Sequence, residues 1–570
     1  MAKVLDGLSI LDRAGQAVVG RVKAWLQEPQ GRLPVSCTVY ALSGEWDDVL
    51  ASWLFVSKAL RFGAGCAVNL EALHQFPTPS AGEIGFYLAE DHADYPEYAK
   101  LLHNCDADAA AWSARVKVAD TMDEPVDEGW FSIQDSWVEV ARRLQGGERV
   151  VVDLSRLRPR GQRNGKGLVA SGPVSFSLIY LAIARLMADP SIPNLCAVYS
   201  VINEVLRRGG TYRNGAVTLF LDHTHPAAPA YLAMPRTQIE WAKRAMVIDA
   251  SVLHHPLLPA LLEAVESGDL FLAKKVYTPQ GERLYSQVCM EVLLRSRDTC
   301  TLHHINIAEL EIEQIPEAFE IGMHFLCELH RQSQVDSLGC YLPAEESRQV
   351  GLGILGLANF LAIQGITYDT FVNAFERFLD RWATIPEEQQ LASLAAIAPA
   401  ETDVANRAVL FLALGYLRSA KIARNYGMER AFTIAPTATS SFHYRDAHGY
   451  VTAPNIAPPI ALSVLRDSQE FGLWEADYHP YAETAAQVGF DVYFRLACCF
   501  QRLMNSTGLA HAISFDLWDQ QPIDVQFLSR WLDSPLLTTY YRTPTLGLDV
   551  VDKSRILCDV RPGECQTCAA

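Results

Sequence analysis

From residue 35 onward, apolar and polar positions alternate in blocks that predict short strands separated by longer helices. VSCTVYAL, around Cys37, is apolar and β-branched enough for a strand, and DDVLASWLFVSKAL after it spaces its large apolar residues as a helix does. The glycine-bearing RFGAGCAVNLEAL, from Arg61, leads into a second strand. Strand, helix, turn and strand in that order predict an α/β layer. Between Pro77 and Asp127 the pattern weakens, with PTPS, acidic residues and HNCDADAAAW, which predicts an insertion or peripheral lobe over about 77–127. Helical spacing returns in FSIQDSWVEVARRLQGG, which stops at paired glycines. A strand, VVVDL, then a basic glycine-bearing loop, SRLRPRGQRNGKG, precede SGPVSF and the helix SLIYLAIARLM.

Farther on, RRGGTYRNGAVTLFLD places paired glycines and a polar turn, Gly210, Thr211, Tyr212, Arg213, Asn214 and Gly215, before an apolar strand. It reads as a recognition loop on a rigid strand, or equally as a plain hairpin connection. The three glycines that open RQVGLGILGLANFLAIQG, Gly351, Gly353 and Gly356, would permit close helix packing; without GxGxxG after a clear strand they are weak grounds for a dinucleotide fold. In AFTIAPTATSSF a strand runs into Pro436 and then Thr437, Ala438, Thr439, Ser440 and Ser441. Hydroxyls and N–H donors at a helix start suit phosphate capture, although a simply capped helix is the commoner use of such a run. The last segment, KSRILCDVRPGECQTCAA, holds Cys565 and Cys568 as CxxC and has too little apolar content to bury, so 551–570 is expected to be a mobile tail.

Composition narrows the class. The 570 residues are 49% hydrophobic and 20% charged, ordinary for a globular protein with more than one core layer. The formal charge of −18 excludes a general grip on DNA or RNA, whose phosphates demand a positive surface, but leaves single nucleotides open. In an acidic protein, the basic loop after VVVDL is either a phosphate contact or a solvated surface turn. The start, MAKVLDGLSILDRAG, lacks the basic-then-apolar order of a signal peptide. The apolar run from Val350 covers about 16 residues where a membrane span needs about 20. A cytoplasmic protein with no membrane segment is expected. The 13 cysteines are odd in number and scattered, a poor disulfide framework, and most read as small buried hydrophobes.

Taken together and in order, these segments resemble the large, catalytic subunits of ribonucleotide reductases, over most of the chain from about Ser36 to the last cysteine. SCTVYAL resembles the strand of the family's first redox cysteine, RFGAGCAVNLEAL, with Gly65, the next active-site strand, and VVVDLSRLRPRG with SGPVSF the segment along the substrate side of the barrel. RRGGTYRNGAVTLF looks like the loop through which a bound effector selects the substrate base, and IAPTATSS like the diphosphate-binding turn. The resemblance implies a ten-stranded α/β barrel with helical peripheral segments, occupying 31–550, and a central finger loop carried here by VCMEV. Residues 1–30 would then be a short segment without the full ATP-cone that gives many relatives overall activity control.

The resemblance also assigns roles. Cys289 would become the thiyl radical that abstracts the ribose 3′ hydrogen, and Glu291 would take the 3′-hydroxyl proton, which requires hydrogen-bond reach. Cys37 and Cys300 would be the dithiol that supplies two electrons; far apart in sequence, they need a fold that joins their strands. Cys565 and Cys568 would re-reduce that pair by thiol–disulfide exchange. Ser36, Gly65 and the 437–441 turn would bind substrate, with no metal held by this chain. Gln287 stands where the family usually has Asn, so the amide is kept with one more methylene. Ala438 stands where many relatives have Gly or Glu, and a backbone donor survives that change. On spacing alone each has a bland rival: Cys289 an inert core thiol, Glu291 a loop charge, Tyr540 and Tyr541 half-buried strand aromatics, and the terminal CxxC part of a metal site.

The radical source divides the readings. TTYYRT, with Tyr540 and Tyr541, looks like the tandem tyrosines that relay an electron and a proton from a separate small subunit bearing a metal–radical cofactor. The region from Gly63 to Arg160 looks like the adenosylcobalamin-dependent branch, which needs no such tyrosines. The preferred expectation is a class I-like enzyme with no cofactor in this chain, acting on ribonucleoside diphosphates and regulated by ATP and dNTP effectors. Its partners would be that small subunit, thioredoxin or glutaredoxin, and a second copy of the chain in a homodimer. Alternatives are a cobalamin-dependent reductase and a nucleotide-binding homologue with impaired turnover.

Overall fold

The computed structural model describes residues 37–61, 65–105, 111–163, 169–208, 216–332, 341–468 and 472–545. The chain divides into two compact units: one comprises the described residues of Val35–Ile248 with Arg295–Arg297, the other those of Asp249–Leu294 and Asp298–Ala570.

In the first unit the predicted alternation holds. Strand β1 (Thr38–Ala41) is followed by helix α1 (Trp46–Arg61) and strand β2 (Cys66–Asn69). Thr38 is in parallel register with Cys66, and Cys66 in turn with Val217. The segment predicted as an insertion builds a second sheet. Strands β3 (Glu83–Tyr87), β4 (Ala114–Val118), β5 (Trp130–Phe131) and β6 (Arg149–Asp153) pair in parallel in the order β3-β6-β4-β5. The lobe therefore extends past residue 127, and VVVDL belongs to it, rather than to the sheet that carries β1 and β2. Its centre is apolar because β6 is covered on both faces, Val150, Val151 and Val152 all being fully buried.

Helix α2 (Ile133–Gln145) starts where the Ser132 hydroxyl accepts the Asp135 N–H and ends at Gly146, as its sequence predicts. The arginines of the basic loop are engaged within the lobe: Arg158 pairs with Asp120, and Arg156 lies 3.6 Å over the Trp130 ring. These contacts favour the surface-turn reading of that loop. Helices α3 (Pro173–Ala188) and α4 (Ile192–Arg208) precede strands β7 (Val217–Asp222) and β8 (Lys243–Ile248), which complete the run β1-β2-β7-β8 within this unit.

In the second unit, β9 (Leu270–Lys274) precedes a hairpin of β10 (Arg283–Ser286) and β11 (Leu293–Leu294). A four-stranded parallel sheet follows: β12 (Leu302–Asn306), β13 (Gln349–Leu355), β14 (Arg430–Ile434) and β15 (Ala510–Ile513), adjacent in that order. Of the three glycines read as helix-packing residues, Gly351 and Gly353 lie in β13 instead, and Gly356 caps the helix Leu357–Gln364 that follows. A Cβ on Gly353 would overlap the Thr433 carbonyl oxygen and the His304 ring, so the two in β13 serve close strand packing. Helices α5 (Ile315–Gln332) and α6 (Val404–Asn425) pack together through Phe319 and Tyr416, whose rings are 4.8 Å apart.

The expected closed ten-stranded barrel is not formed among the described residues. The strands are distributed over separate sheets with open orders, and the two longer parallel runs belong to different units. What holds is the coarser expectation, a mixed α/β architecture with parallel sheets. Among the described residues no helix is long and apolar enough to cross a membrane.

Candidate active site

The segment VCMEV, expected to be the finger, joins the two strands of the β10–β11 hairpin, with Ser286 opposite Leu293. Its tip is a tight turn in which the Met290 N–H donates to the Gln287 carbonyl at 3.0 Å and the Gln287 N–H to Val292 at 3.0 Å. Met290 takes a left-handed conformation, φ 73°, a strain of about 1 kcal/mol or more for a non-glycine residue. Gln287 closes the turn a second way, its side-chain oxygen accepting the Cys289 N–H. Its amide nitrogen has no hydrogen-bond partner among the described residues although Gln287 is fully buried. A long amide can thus cap the turn and still present donors.

Cys289 is 9% exposed and Glu291 1% exposed, both on this hairpin. The Glu291 carbonyl accepts the Ala512 N–H at 2.8 Å and the Thr433 hydroxyl at 2.9 Å, which pins the returning limb to β15 and β14. Leu293, farther along that limb, donates its N–H to His511 Nδ1 at 3.1 Å. Cys300 is buried just ahead of β12.

Tyr540 reaches the same hairpin. The segment before it runs antiparallel to β9, with Thr538 opposite Ala273 and the Thr539 N–H on the Leu272 carbonyl. The Tyr540 N–H then bonds the Phe515 carbonyl at 2.7 Å, which fixes the direction of the ring. Its hydroxyl is hydrogen-bonded to the Cys289 side chain. Burial, followed by the neighbouring Cys289, Glu291 and Asp516 side chains, holds the phenol well above its ordinary value of 10.0. The Tyr541 ring lies 3.9 Å from that of Tyr540, and Phe271 of β9 lies 5.2 Å from Tyr540 and 5.6 Å from Tyr541. Cys289, Tyr540 and Tyr541 therefore form a contiguous series in one unit.

The 437–441 turn follows β14 as expected, with Thr437 left-handed at φ 51° and a single helical turn, Ala438–Ser441. The hydroxyls are less available than the sequence implies. Thr437 Oγ1 accepts the Asn455 N–H at 2.8 Å, and the buried Ser441 hydroxyl donates back to Ala438 at 2.8 Å. Ser440 is exposed. Ser440 faces outward beside the backbone donors of the turn, and Ser441 acts inward. His304 Nε2 accepts the Ala435 N–H at 2.9 Å and so fixes the strand end that launches the turn.

Cys37 belongs to the other unit, half-buried at the start of β1, where the Thr38 N–H bonds the Gly65 carbonyl at 2.9 Å. In that unit the Arg297 N–H donates to Val39 at 2.7 Å, and the Ser296 hydroxyl accepts the Ala41 N–H. Ser36, the loop from Gly210 to Gly215, residues 1–30, and Cys565 with Cys568 lie outside the described residues. Three contributors were not read from the sequence: His304, Thr433 and His511. Each is a single polar residue in an apolar strand, with no local motif to mark it. Among the described residues no group of three or more metal-ligating side chains gathers.

No protein-family model matches the chain. The vitamin B12-dependent ribonucleoside-diphosphate reductase of Mycobacterium tuberculosis strain CDC 1551 / Oshkosh is 25% identical over 347 residues, covering 56% of this chain and 48% of that protein. The protein of the same name from strain ATCC 25618 / H37Rv is 25% identical over 347 residues, covering 56% and 47%. The chain thus spans about half the length of the curated relatives it matches. A crystal structure of a B-12 dependent (class II) ribonucleotide reductase superposes with a TM-score of 0.61 at 11% identity, over 91% of this chain and 79% of that one. By sequence the chain is similar to these two reductases, and its fold is similar to that of the class II structure.

Proposed function

We propose that this chain is the catalytic subunit of a ribonucleotide reductase, converting ribonucleoside diphosphates to 2′-deoxyribonucleoside diphosphates in the cytoplasm. The observation that carries the reading is the hairpin that buries Cys289 and Glu291 together, with the Tyr540 hydroxyl on the Cys289 side chain. A thiyl at Cys289 takes the 3′ hydrogen atom of the ribose. Glu291 accepts the 3′-hydroxyl proton, and the 2′ oxygen leaves as water after protonation by a thiol. That proton comes from the Cys37–Cys300 pair, which then passes one hydrogen atom to C2′ and one electron to the 3′ ketone and closes as a disulfide; Glu291 returns its proton to the 3′ oxygen, and the 3′ hydrogen atom returns to C3′ from Cys289, regenerating the thiyl. Cys565 and Cys568 reduce that disulfide by exchange and are themselves reduced by thioredoxin or glutaredoxin. Gln287 orients the sugar through its amide donors, the turn at Thr437 to Ser440 takes the diphosphate, and the 210–215 loop answers to ATP and dNTP effectors in a homodimer.

For the radical, the close, tilted contact of the Tyr540 and Tyr541 rings supports entry from a small metal-bearing subunit. The names of the relatives and of the superposed structure support a second reading, in which adenosylcobalamin supplies the radical. The Tyr540 phenol beside the Cys289 side chain supports the first source. The deciding assay is dCDP formation from CDP with dithiothreitol, by the chain alone, with adenosylcobalamin, and with the small subunit from the same source. Product only with the subunit supports the first reading, and product with cobalamin alone the second. No product under any effector would leave a nucleotide-binding homologue. Cys289→Ser should abolish turnover with the fold intact, and activity in that variant would sink the radical assignment.

A further inference from the structure

Among the described residues, the limb of the finger that carries Glu291 takes a backbone bond from the parallel sheet at the Glu291 carbonyl. Two residues on, the Leu293 N–H has turned away from any strand carbonyl, and the ring of His511 takes it at 3.1 Å through Nδ1. Across the ring, Nε2 is 3.0 Å from the Val350 carbonyl of β13. The two contacts require opposite roles: Nδ1 must accept and Nε2 must donate, so the ring is the neutral Nε2–H tautomer. An imidazole separates an acceptor and a donor across a rigid ring, whereas Asn and Gln hold both on one terminal group. His511 is fully buried, and its own carbonyl accepts the Gln501 side-chain N–H at 2.9 Å, so the ring has a fixed base.

We infer that His511 is a positioning residue for the reacting thiol, a side-chain bridge that sets the register of the finger against the sheet and thereby the placement of Cys289 and Glu291. The inference rests on the proposed radical role of Cys289. The Glu291 carbonyl anchor, from Ala512 and Thr433, fixes one point of the limb and leaves rotation about it; the His511 bridge supplies the second point. Two points determine where the hairpin tip lies. The rival view is a satisfied core histidine whose loss would weaken the whole protein without a specific effect at the finger.

The test uses the full chain with His511→Phe, which keeps a ring of similar size and removes both bonds, and His511→Gln, which can restore one. Amide exchange followed by mass spectrometry should rise about tenfold or more in peptides spanning 285–294 in His511→Phe, with Leu302–Asn306 unchanged. In the CDP assay kcat should fall about 30-fold or more with KM within about threefold, because binding is intact and alignment is lost. His511→Gln should lie between wild type and Phe in both measurements. Unchanged exchange at 285–294, or raised exchange with unchanged kcat, would overturn the inference, as would a uniform rise in exchange across the unit. Should His511→Phe not fold, the Gln variant decides by the same two measurements. An inactive wild type would count against the reductase reading, while the exchange result would still decide whether His511 holds the finger.

Discussion

Replacing Tyr540 with Phe removes one oxygen at the junction between the paired tyrosine rings and Cys289. The aromatic ring stays, and with it the contact with Tyr541 at 3.9 Å and with Phe271 at 5.2 Å. The lost hydrogen bond to Cys289 is of the neutral kind, so stability should change by about 1 kcal/mol or less. Turnover behaves differently under the two radical sources. If the hole and proton travel through the phenol, Phe has no O–H to give, and activity with the small subunit should fall at least about 10³-fold, equivalent to about 4 kcal/mol on the barrier. If the radical reached the thiol directly, the ring would only pack beside it and turnover would change modestly. The assay is dCDP formation at saturating CDP with the small subunit, in parallel with circular dichroism and the thermal midpoint. Retention of turnover within about tenfold of wild type would refute the tyrosine route.

Acid should weaken the fold through His511. Burial, with the Arg430 charge beside it, pushes the ring from 6.5 down to about 3, so on acidification the unfolded chain takes up the proton first. Stability is therefore lost as pH falls below about 6.5, by about 2 kcal/mol between pH 8 and pH 5 from this ring alone. Urea titrations of wild type and His511→Gln should show a shallower acid limb in the variant, and parallel limbs would contradict the assignment. Gly353→Ala forces a methyl onto the Thr433 carbonyl and the His304 ring, and should destabilise by about 3 kcal/mol; a midpoint within error of wild type would refute the close-packing account. Arg158→Ala breaks a partly exposed pair with Asp120 and should change stability by about 1 kcal/mol or less, leaving CDP affinity unchanged by calorimetry. A clear loss of CDP affinity would restore the phosphate-contact reading of that loop.

The strands at Cys37, at Cys66, at VVVDL and at AFTI were legible because each is a short apolar run bounded by glycine or proline, and the helix from Ile133 because it carries both its cap and its stop. The chemistry of VCMEV was legible only through the resemblance, since one buried thiol and one carboxylate are unremarkable by themselves. The second sheet was obscured because β3 and β4 mix exposed and buried residues, so neither is a clean apolar run. The glycines of β13 misled for a related reason: glycine signals close approach without saying what approaches. His511 could not be read at all. Its partners, Leu293 and Val350, lie 218 and 161 residues away, and nothing local distinguishes it from any other histidine in an apolar strand.

The order β3-β6-β4-β5 carries a consequence for how the protein is made. The strand that joins the sheet, Arg149–Asp153, is the last of the four to leave the ribosome, yet it lies between the first two. Until residue 153 has emerged, Glu83–Tyr87 has no partner strand in this sheet, and Ala114–Val118 can pair only with the short Trp130–Phe131. About seventy residues of nascent chain must therefore wait with apolar edges uncovered and then close in one step around a central strand, which makes this lobe the natural place for chaperone engagement and for slow, temperature-sensitive maturation.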